Sequence, residues 1–459
     1  MSLPAKIVLI GAGSAVFTQG LLADFILSTD FRPLEIALVD TDEQVLHAIA
    51  AVARRMVSVK QAEITITAST DRKDVLPGAD VVVTTIAVGG RRAWEADVFI
   101  PRKYGIYQPV GDTTMPGGIS RALRMIPVML EIARDVQALC PDAYFFNYSN
   151  PMTAICMALR KEAQVDVIGL CHGVLHVEHH LAHFLGVEPS QVRSLGVGLN
   201  HLTFLHDLRV GGENGWTQVD EVLQDQKRYL QKAENAPDLF AEMGQAGTAN
   251  PTYHDNLFSW ELYETYGAFP AVLDRHVVEF FPERFRDGRY YGRTLGVDAF
   301  SFENVIAKGD ADYEILFQRA TGAAELDNGL FSRQAGEHEQ LVDILRSLYL
   351  DERRTFSVNL ENQGAIPNLP KRAVLELPAV ATGRGFYPLF MHDFPDALLP
   401  ILNRRIHVVE LTVEAALTGR HHLFVEALLA DGSVTSEAMA QQLATELLEV
   451  HRDYLPQFA

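Results

Sequence analysis

Cysteine is scarce in this 459-residue chain, and the three present, Cys140, Cys156 and Cys171, are too few for a disulfide framework. A reducing compartment is the easier fit. Positive charge is also short: 39 Lys and Arg stand against 59 Asp and Glu, a formal net charge of −20, which argues against nucleic acid or an anionic membrane as a general partner. No apolar run approaches the ~20 residues of a membrane-spanning helix. The amino terminus passes almost at once into an apolar strand, which leaves no signal-peptide region. These absences predict a cytoplasmic protein whose partner is a small molecule. Its length suits two domains, since single cores stop growing near roughly 250–300 residues.

What the chain does contain begins at its amino end. Lys6 to Ile10 reads as a buried parallel strand running into Gly11-Ala12-Gly13-Ser14, and the apolar stretch from Val16 to Leu27 reads as the next helix. Gly11 suits a tight turn, Gly13 a close approach of backbone to a pyrophosphate, and Ser14 the exposed N–H groups of the helix start. A second strand, Leu34 to Val39, ends at Asp40, an acid placed to bind adenosine ribose hydroxyls and to favour NAD over NADP. Val16 stands where a third glycine is usual, so helix and strand must pack differently there. A further strand signal at Ala79 to Ile86 leads to Gly89-Gly90-Arg91-Arg92, where an arginine could meet phosphate or a substrate anion, or simply be solvated. Gly111 to Ser120 reads as a shaped loop before a helix over Arg121 to Leu139.

The pattern is α/β to about residue 195, with strands at 143–148 and 165–170. It predicts a Rossmann-type dinucleotide-binding domain over residues 1–195 and a mixed α+β domain over 196–459 for substrate, metal and oligomer contacts. The polar segment 224–250 reads as an exposed helical excursion or lid, and the tail from Val413 to Val450 as helical.

Three places in this frame carry chemistry. Cys171-His172-Gly173 follows a predicted strand at the end where open α/β sheets place ligands, and Asn200-His201 interrupts apolar strand material thirty residues beyond Cys171. Thiolate and imidazole suit zinc, manganese or iron, with softness favouring zinc. Taken singly, a lone cysteine is more often packing and a lone histidine a satisfied polar group. His172, His176, His179, His180 and His183 crowd one predicted helix; His172 reads as an active-site group and the others as helix surface or packing. Asn150, in the Asn147 to Met152 segment that closes a strand, suits sugar hydroxyls or a helix cap.

Together these landmarks resemble glycoside hydrolase family 4. The resemblance rests on Lys6 to Gly13, Val39-Asp40, Asp112 to Arg124, Asn147 to Pro151, Cys171-His172-Gly173 and Gly198 to His201, and it continues through Asn362 to Pro370 and Leu375 to Pro378. It implies a fold like that of lactate and malate dehydrogenases, with NAD and a divalent cation, usually Mn2+, as cofactors. By resemblance, Cys171 and His201 are metal ligands, Asn150 contacts substrate and Asp40 the cofactor ribose. The implied route removes hydride from sugar C3 to NAD, deprotonates C2, expels the C1 leaving group, adds water and returns the hydride. It is distinct from hydrolysis by two flanking carboxylates. His172 is implied as acid and Asp274 as base, with His276 beside the substrate. Cys-His-Gly looks most like the α-galacturonidase branch, with α-galactosidase, α-glucosidase and α-glucuronidase as alternatives. A uronate carboxylate would need a cation, and Arg92, Arg275 and Arg284 are the candidates. A homodimer or homotetramer is implied as well. The reading from another class is a conventional NAD-dependent 2-hydroxy-acid dehydrogenase, which would accumulate NADH without cleaving glycosides; a nonenzymatic NAD-binding regulator is a further alternative.

Overall fold

A computed structural model describes residues 3–234, 252–326, 328–331 and 340–459. The six amino-terminal strands, β1 (Lys6–Ile10), β2 (Leu34–Val39), β3 (Ile64–Ser69), β4 (Val81–Thr84), β5 (Tyr144–Asn147) and β6 (Val167–Gly169), lie parallel in the order β3-β2-β1-β4-β5-β6. That is the doubly wound dinucleotide-binding order, whose strand sequence reverses between β1 and β4. Runs such as Ile7-Val8-Leu9 and Val81-Val82-Val83 are 0–1% exposed, because both faces of a parallel sheet are covered by its crossover helices. Those helices are α1 (Phe17–Leu27), α2 (Glu43–Lys60), α3 (Gly90–Arg102), α4 (Met115–Leu139), α5 (Met152–Ala158) and α6 (Gly173–Leu185).

The sheet does not stop at residue 195. Strands β7 (Gly196–Leu199), β8 (Leu202–Leu205), β9 (Phe269–Pro270), β10 (Thr355–Glu361), β11 (Val374–Thr382) and β12 (Gly385–Pro388) extend it antiparallel, in the order β9-β8-β7-β11-β10-β6, with β12 on β11. One twelve-stranded sheet therefore crosses the expected domain boundary. Helices Leu399–Thr418 and His421–Asp431 pack back on α4. The tail is tied in by a buried network: Arg124 grips Asp97 with two hydrogen bonds of 2.9 and 2.5 Å, and His451 Nε2 lies 2.9 Å from the same carboxylate. Burial would raise the Asp97 pKa, but His451 and Arg124 outweigh it and hold it below the usual carboxylate range.

Two expectations change. Gly111 to Ser120 is only partly loop, because α4 starts at Met115 with Pro116 in its first turn. Its glycines serve close packing: a Cβ at Gly118 would sit 2.3 Å from the Thr113 carbonyl carbon, and one at Gly117 would sit 2.9 Å from the Asp97 carbonyl oxygen. Of the polar 224–250 segment, the part to Glu234 completes a helix, Gly215–Glu234, and the remainder lies outside the described residues. Among the described residues no helix is long and apolar enough to cross a membrane.

Candidate cation and nucleotide site

The nucleotide end forms as the local sequence dictates. Gly11 adopts φ +88°, and a Cβ there would meet the Thr85 backbone at 2.7 Å, so only glycine lets the turn after β1 lie against the end of β4. The Gly13 N–H donates to Asp40 Oδ2 at 2.8 Å, while the Asp42 N–H donates to Oδ1 at 3.0 Å. Asp40 is thus fixed at the rim of the glycine turn at the tip of β2. A Cβ at Gly13 would come within 2.6 Å of Asp40 Oδ2, so this glycine is required by the acid as much as by any ligand. From the distant helix Phe302–Thr321, Tyr313 donates its hydroxyl to the Gly13 carbonyl at 2.9 Å, and the Arg91 guanidinium lies 4.2 Å over its ring. No local motif marks Tyr313 in the sequence.

The second centre assembles from three remote segments. Asp112 precedes α4, His201 occupies the turn between β7 and β8, and His276 lies on the short helix Asp274–Val277. One donor atom from each falls within 4.8 Å of the others. His201 has φ +63°, a left-handed conformation that closes a two-residue turn and is costly for a non-glycine residue. Thr113 Oγ links the first two donors, lying 2.7 Å from Asp112 Oδ1 and 2.8 Å from His201 Nδ1. With one hydroxyl proton given to the carboxylate, Thr113 must accept from Nδ1–H of His201, and that tautomer leaves Nε2 with its lone pair. The His201 and His276 rings lie 4.4 Å apart.

Electrostatics suit a cation. Burial lowers the pKa of His201 and, with help from the neighbouring His201 charge, sets His276 well below the usual histidine value, so both imidazoles are neutral near pH 7. Burial acts to raise Asp112, but His201, His276, the Thr113 hydroxyl and Arg121 outweigh it and keep the carboxylate ionised. Deprotonated imidazoles and an anionic oxygen are the state a divalent metal requires, and the set suits manganese, iron or zinc. Asn150 donates Nδ2–H to Asp112 Oδ2 at 3.0 Å, and its own Oδ1 is buried with no partner among the described residues. A buried acceptor without a donor beside a convergent donor set is a place prepared for a ligand.

The structure thus brings together His201, His276 and Asn150 and adds Asp112, the first residue of the Asp112 to Arg124 landmark. Cys171 lies two residues past β6, with its Sγ 3.4 Å from the Gly173 N–H, and is not one of the three converging donors. His172 is exposed at the start of α6, near enough for its charge to depress His201 and His276. Two expected roles are corrected. Asp274 is 0% exposed and both its oxygens are taken, by Phe258 N–H at 2.8 Å, Ser259 N–H at 2.7 Å, Ser259 Oγ at 2.6 Å and Tyr290 Oη at 2.5 Å. A carboxylate so enclosed anchors the helix Leu257–Tyr266 and is not presented to a sugar as a base. Arg92 is held on the surface between Glu95 and Asp310, at 2.9 and 2.7 Å, with its side chain 63% exposed, so it does not line the cluster. Arg284 is likewise paired outside, with Glu261. Arg275, next to His276, has a buried Nε without a partner among the described residues.

A dinucleotide turn and a cation cluster on one α/β sheet define an enzyme class that couples a nucleotide cofactor to a divalent metal. Comparison with known proteins gives the family. Residues 6–187 match the Family 4 glycosyl hydrolases, and residues 196–434 match the Family 4 glycosyl hydrolase C-terminal domain. The chain is 32% identical over 402 residues to the α-galacturonidase of Thermoanaerobacterium saccharolyticum, covering 83% of this chain and 82% of the relative. It is 27% identical to an α-galactosidase of Bacillus subtilis, with 99% of each chain covered. A 6-phospho-α-glucosidase from gut microorganisms, solved with NAD and Mn2+, shares the fold with a TM-score of 0.81 at 18% identity, covering 99% of this chain and 100% of that one. The chain belongs to glycosyl hydrolase family 4 and is a glycosidase of the NAD- and metal-dependent kind.

Proposed function

We propose that this enzyme hydrolyses α-galacturonides, using NAD at the Gly11–Asp40 turn and Mn2+ at the cluster beside Asn150. The observation that carries the metal part of this reading is the convergence of Asp112, His201 and His276 within 4.8 Å, with Asn150 bonded to Asp112 and its Oδ1 left without a partner among the described residues. When bound, the two cofactors supply reversible hydride acceptance from a sugar carbon and stabilisation of the charge that develops on its oxygen. The chain's own residues do the rest. Asn150 orients a sugar oxygen with its free carbonyl, Thr113 fixes the His201 tautomer, and His172, exposed beside the cluster, donates a proton to the leaving group. Cys171, at the tip of β6, is kept as an additional metal donor. The galacturonide reading draws on Cys171-His172-Gly173, on the α-galacturonidase relative, and on cationic groups beside the cluster. Arg275 has the buried Nε without a partner among the described residues, and Arg121 donates Nε–H to the backbone carbonyl of Asn150 at 3.0 Å. Either guanidinium suits a sugar carboxylate. A homodimer or homotetramer in the cytoplasm, with no nucleic acid or membrane partner, completes the reading.

The test is turnover of matched para-nitrophenyl α-galacturonide, α-galactoside, α-glucoside and α-glucuronide with NAD and Mn2+. The galacturonide should give the highest kcat/KM; preference for the neutral galactoside would replace the substrate assignment. Stoichiometric NADH formation from a 2-hydroxy acid would overturn the glycosidase reading itself.

A further inference from the structure

Two glutamates buried next to the cluster contribute no donor to it. Glu279 is 2% exposed, and its Oε1 accepts from the N–H groups of both Val110 and Gly111 at 2.8 Å. Gly111 immediately precedes Asp112, while Glu279 lies three residues beyond His276, so one side chain ties together the segments that present two of the three donors. Glu376 on β11 is 1% exposed; its Oε2 accepts from Asn200 Nδ2 and Thr203 Oγ at 3.1 Å each, and its Oε1 accepts from Ser357 Oγ at 3.2 Å. Asn200 and Thr203 bracket His201 in the strained turn.

We infer that Glu279 and Glu376 are positioning residues of the cation site, each holding through buried hydrogen bonds the chain segment that presents a donor. Burying two acids is expensive unless their hydrogen bonds are needed. Both bonds of Glu279 run to the chain just before Asp112, and the Oε2 bonds of Glu376 run to the two sides of His201, while its Oε1 is anchored on Ser357 of the neighbouring strand. Burial drives the Glu279 pKa up to about 8 and raises that of Glu376 above the usual carboxylate range. Support of this kind around metal ligands is typically worth 10–100-fold in metal affinity.

The two acids make different demands, and this gives the test its resolution. Glu279 accepts through one oxygen only, so the amide of Glu279→Gln can still take both N–H groups. Glu376 accepts through two, so Glu376→Gln must lose at least one bond. The inference rests on the cation reading above, and it is tested by calorimetric titration of the full-length enzyme with Mn2+, with NAD affinity and thermal unfolding as controls. Glu279→Ala and Glu376→Gln should each weaken Mn2+ binding at least 10-fold while NAD affinity stays within about 3-fold, and Glu279→Gln should remain within about 3-fold of wild type for both. Equal Mn2+ affinity in wild type and Glu279→Ala, or equal losses of Mn2+ and NAD affinity, would overturn it. Amide hydrogen exchange on the metal-free protein supplies a reading that needs no metal: the Val110 and Gly111 amides should exchange faster in Glu279→Ala and at the wild-type rate in Glu279→Gln. Unchanged exchange in Glu279→Ala would also overturn it. If wild type binds no Mn2+ but the exchange pattern holds, the cofactor proposal fails and the positioning role stands.

Discussion

Replacing Asp112 by asparagine changes one atom and strikes three contacts at once. The carboxylate accepts from Thr113 Oγ at 2.7 Å and Asn150 Nδ2 at 3.0 Å, and its Oδ1 lies 3.9 Å from His201 Nδ1. An amide supplies only one acceptor. If its oxygen faces Thr113, its NH2 meets the NH2 of Asn150, and Asn150 must flip and lose the carbonyl now left free. If its NH2 faces Thr113, the hydroxyl must turn its proton toward His201 Nδ1, shifting that imidazole proton to Nε2 and removing the lone pair there. Both outcomes damage a second group besides removing a negative charge. Losing one supporting contact alone costs 10–100-fold in metal affinity, so Asp112→Asn should weaken Mn2+ at least about 100-fold, equivalent to about 2.7 kcal/mol. Calorimetric Mn2+ titration at pH 7.5 reads this directly, with NAD affinity as control because Asp40 and Gly13 lie on other loops. A variant that binds Mn2+ within about 3-fold of wild type would refute both the donor assignment and the Thr113 relay.

Two further outcomes follow from the same geometry. Gly13→Ala puts a methyl 2.6 Å from Asp40 Oδ2, so the turn must open; NAD affinity should fall at least about 10-fold while Mn2+ affinity, measured by titration without nucleotide, stays within about 3-fold. The metal's pH dependence follows from the lowered values of His201 and His276. A pair of exposed imidazoles would begin to take up protons near ~6.5 and release metal there. These two stay neutral to lower pH, so Mn2+ affinity should be flat between pH 7.5 and 6.5 and fall only as pH drops through their depressed values; a 10-fold loss within that window would contradict the assignment.

The nucleotide end was legible because its parts are close in sequence and each has a local geometric reason: Gly11 needs positive φ, and Asp40 and Gly11 each directly follow one of two paired strands. His201 was legible as a polar break in apolar strand material. Asp112, His201 and His276 are separated by dozens of residues and meet only through the tertiary fold, so their grouping had no local signature. The error at Asp274 has a helical cause. Asp274 and His276 are two positions apart on one short helix, about 200° around its axis, so when His276 faces the cluster Asp274 must face away, toward Ser259 and Tyr290. Sequence can propose such a pair but cannot choose which member faces the site.

The extension of the sheet explains how residues from both halves share one site. A single register row, Gly169–Asn359–Glu376–Gly198, runs from the last residue of β6 through β10 and β11 to β7. Cys171 lies two residues past one end of this row and His201 three past the other, with Glu376 in the row between them bonded to Asn200. The distance between the strand end that carries Cys171 and the turn that carries His201 is therefore set by backbone pairing and not by loop packing. His201 is held by strand pairing and by Glu376, whereas Asp112 and His276 reach the cluster from a loop and a short helix that the Glu279 bridge ties together. The candidate cation site thus takes one donor from the paired strands and two from segments joined by Glu279, so damage to that bridge should loosen the metal before it disturbs the nucleotide.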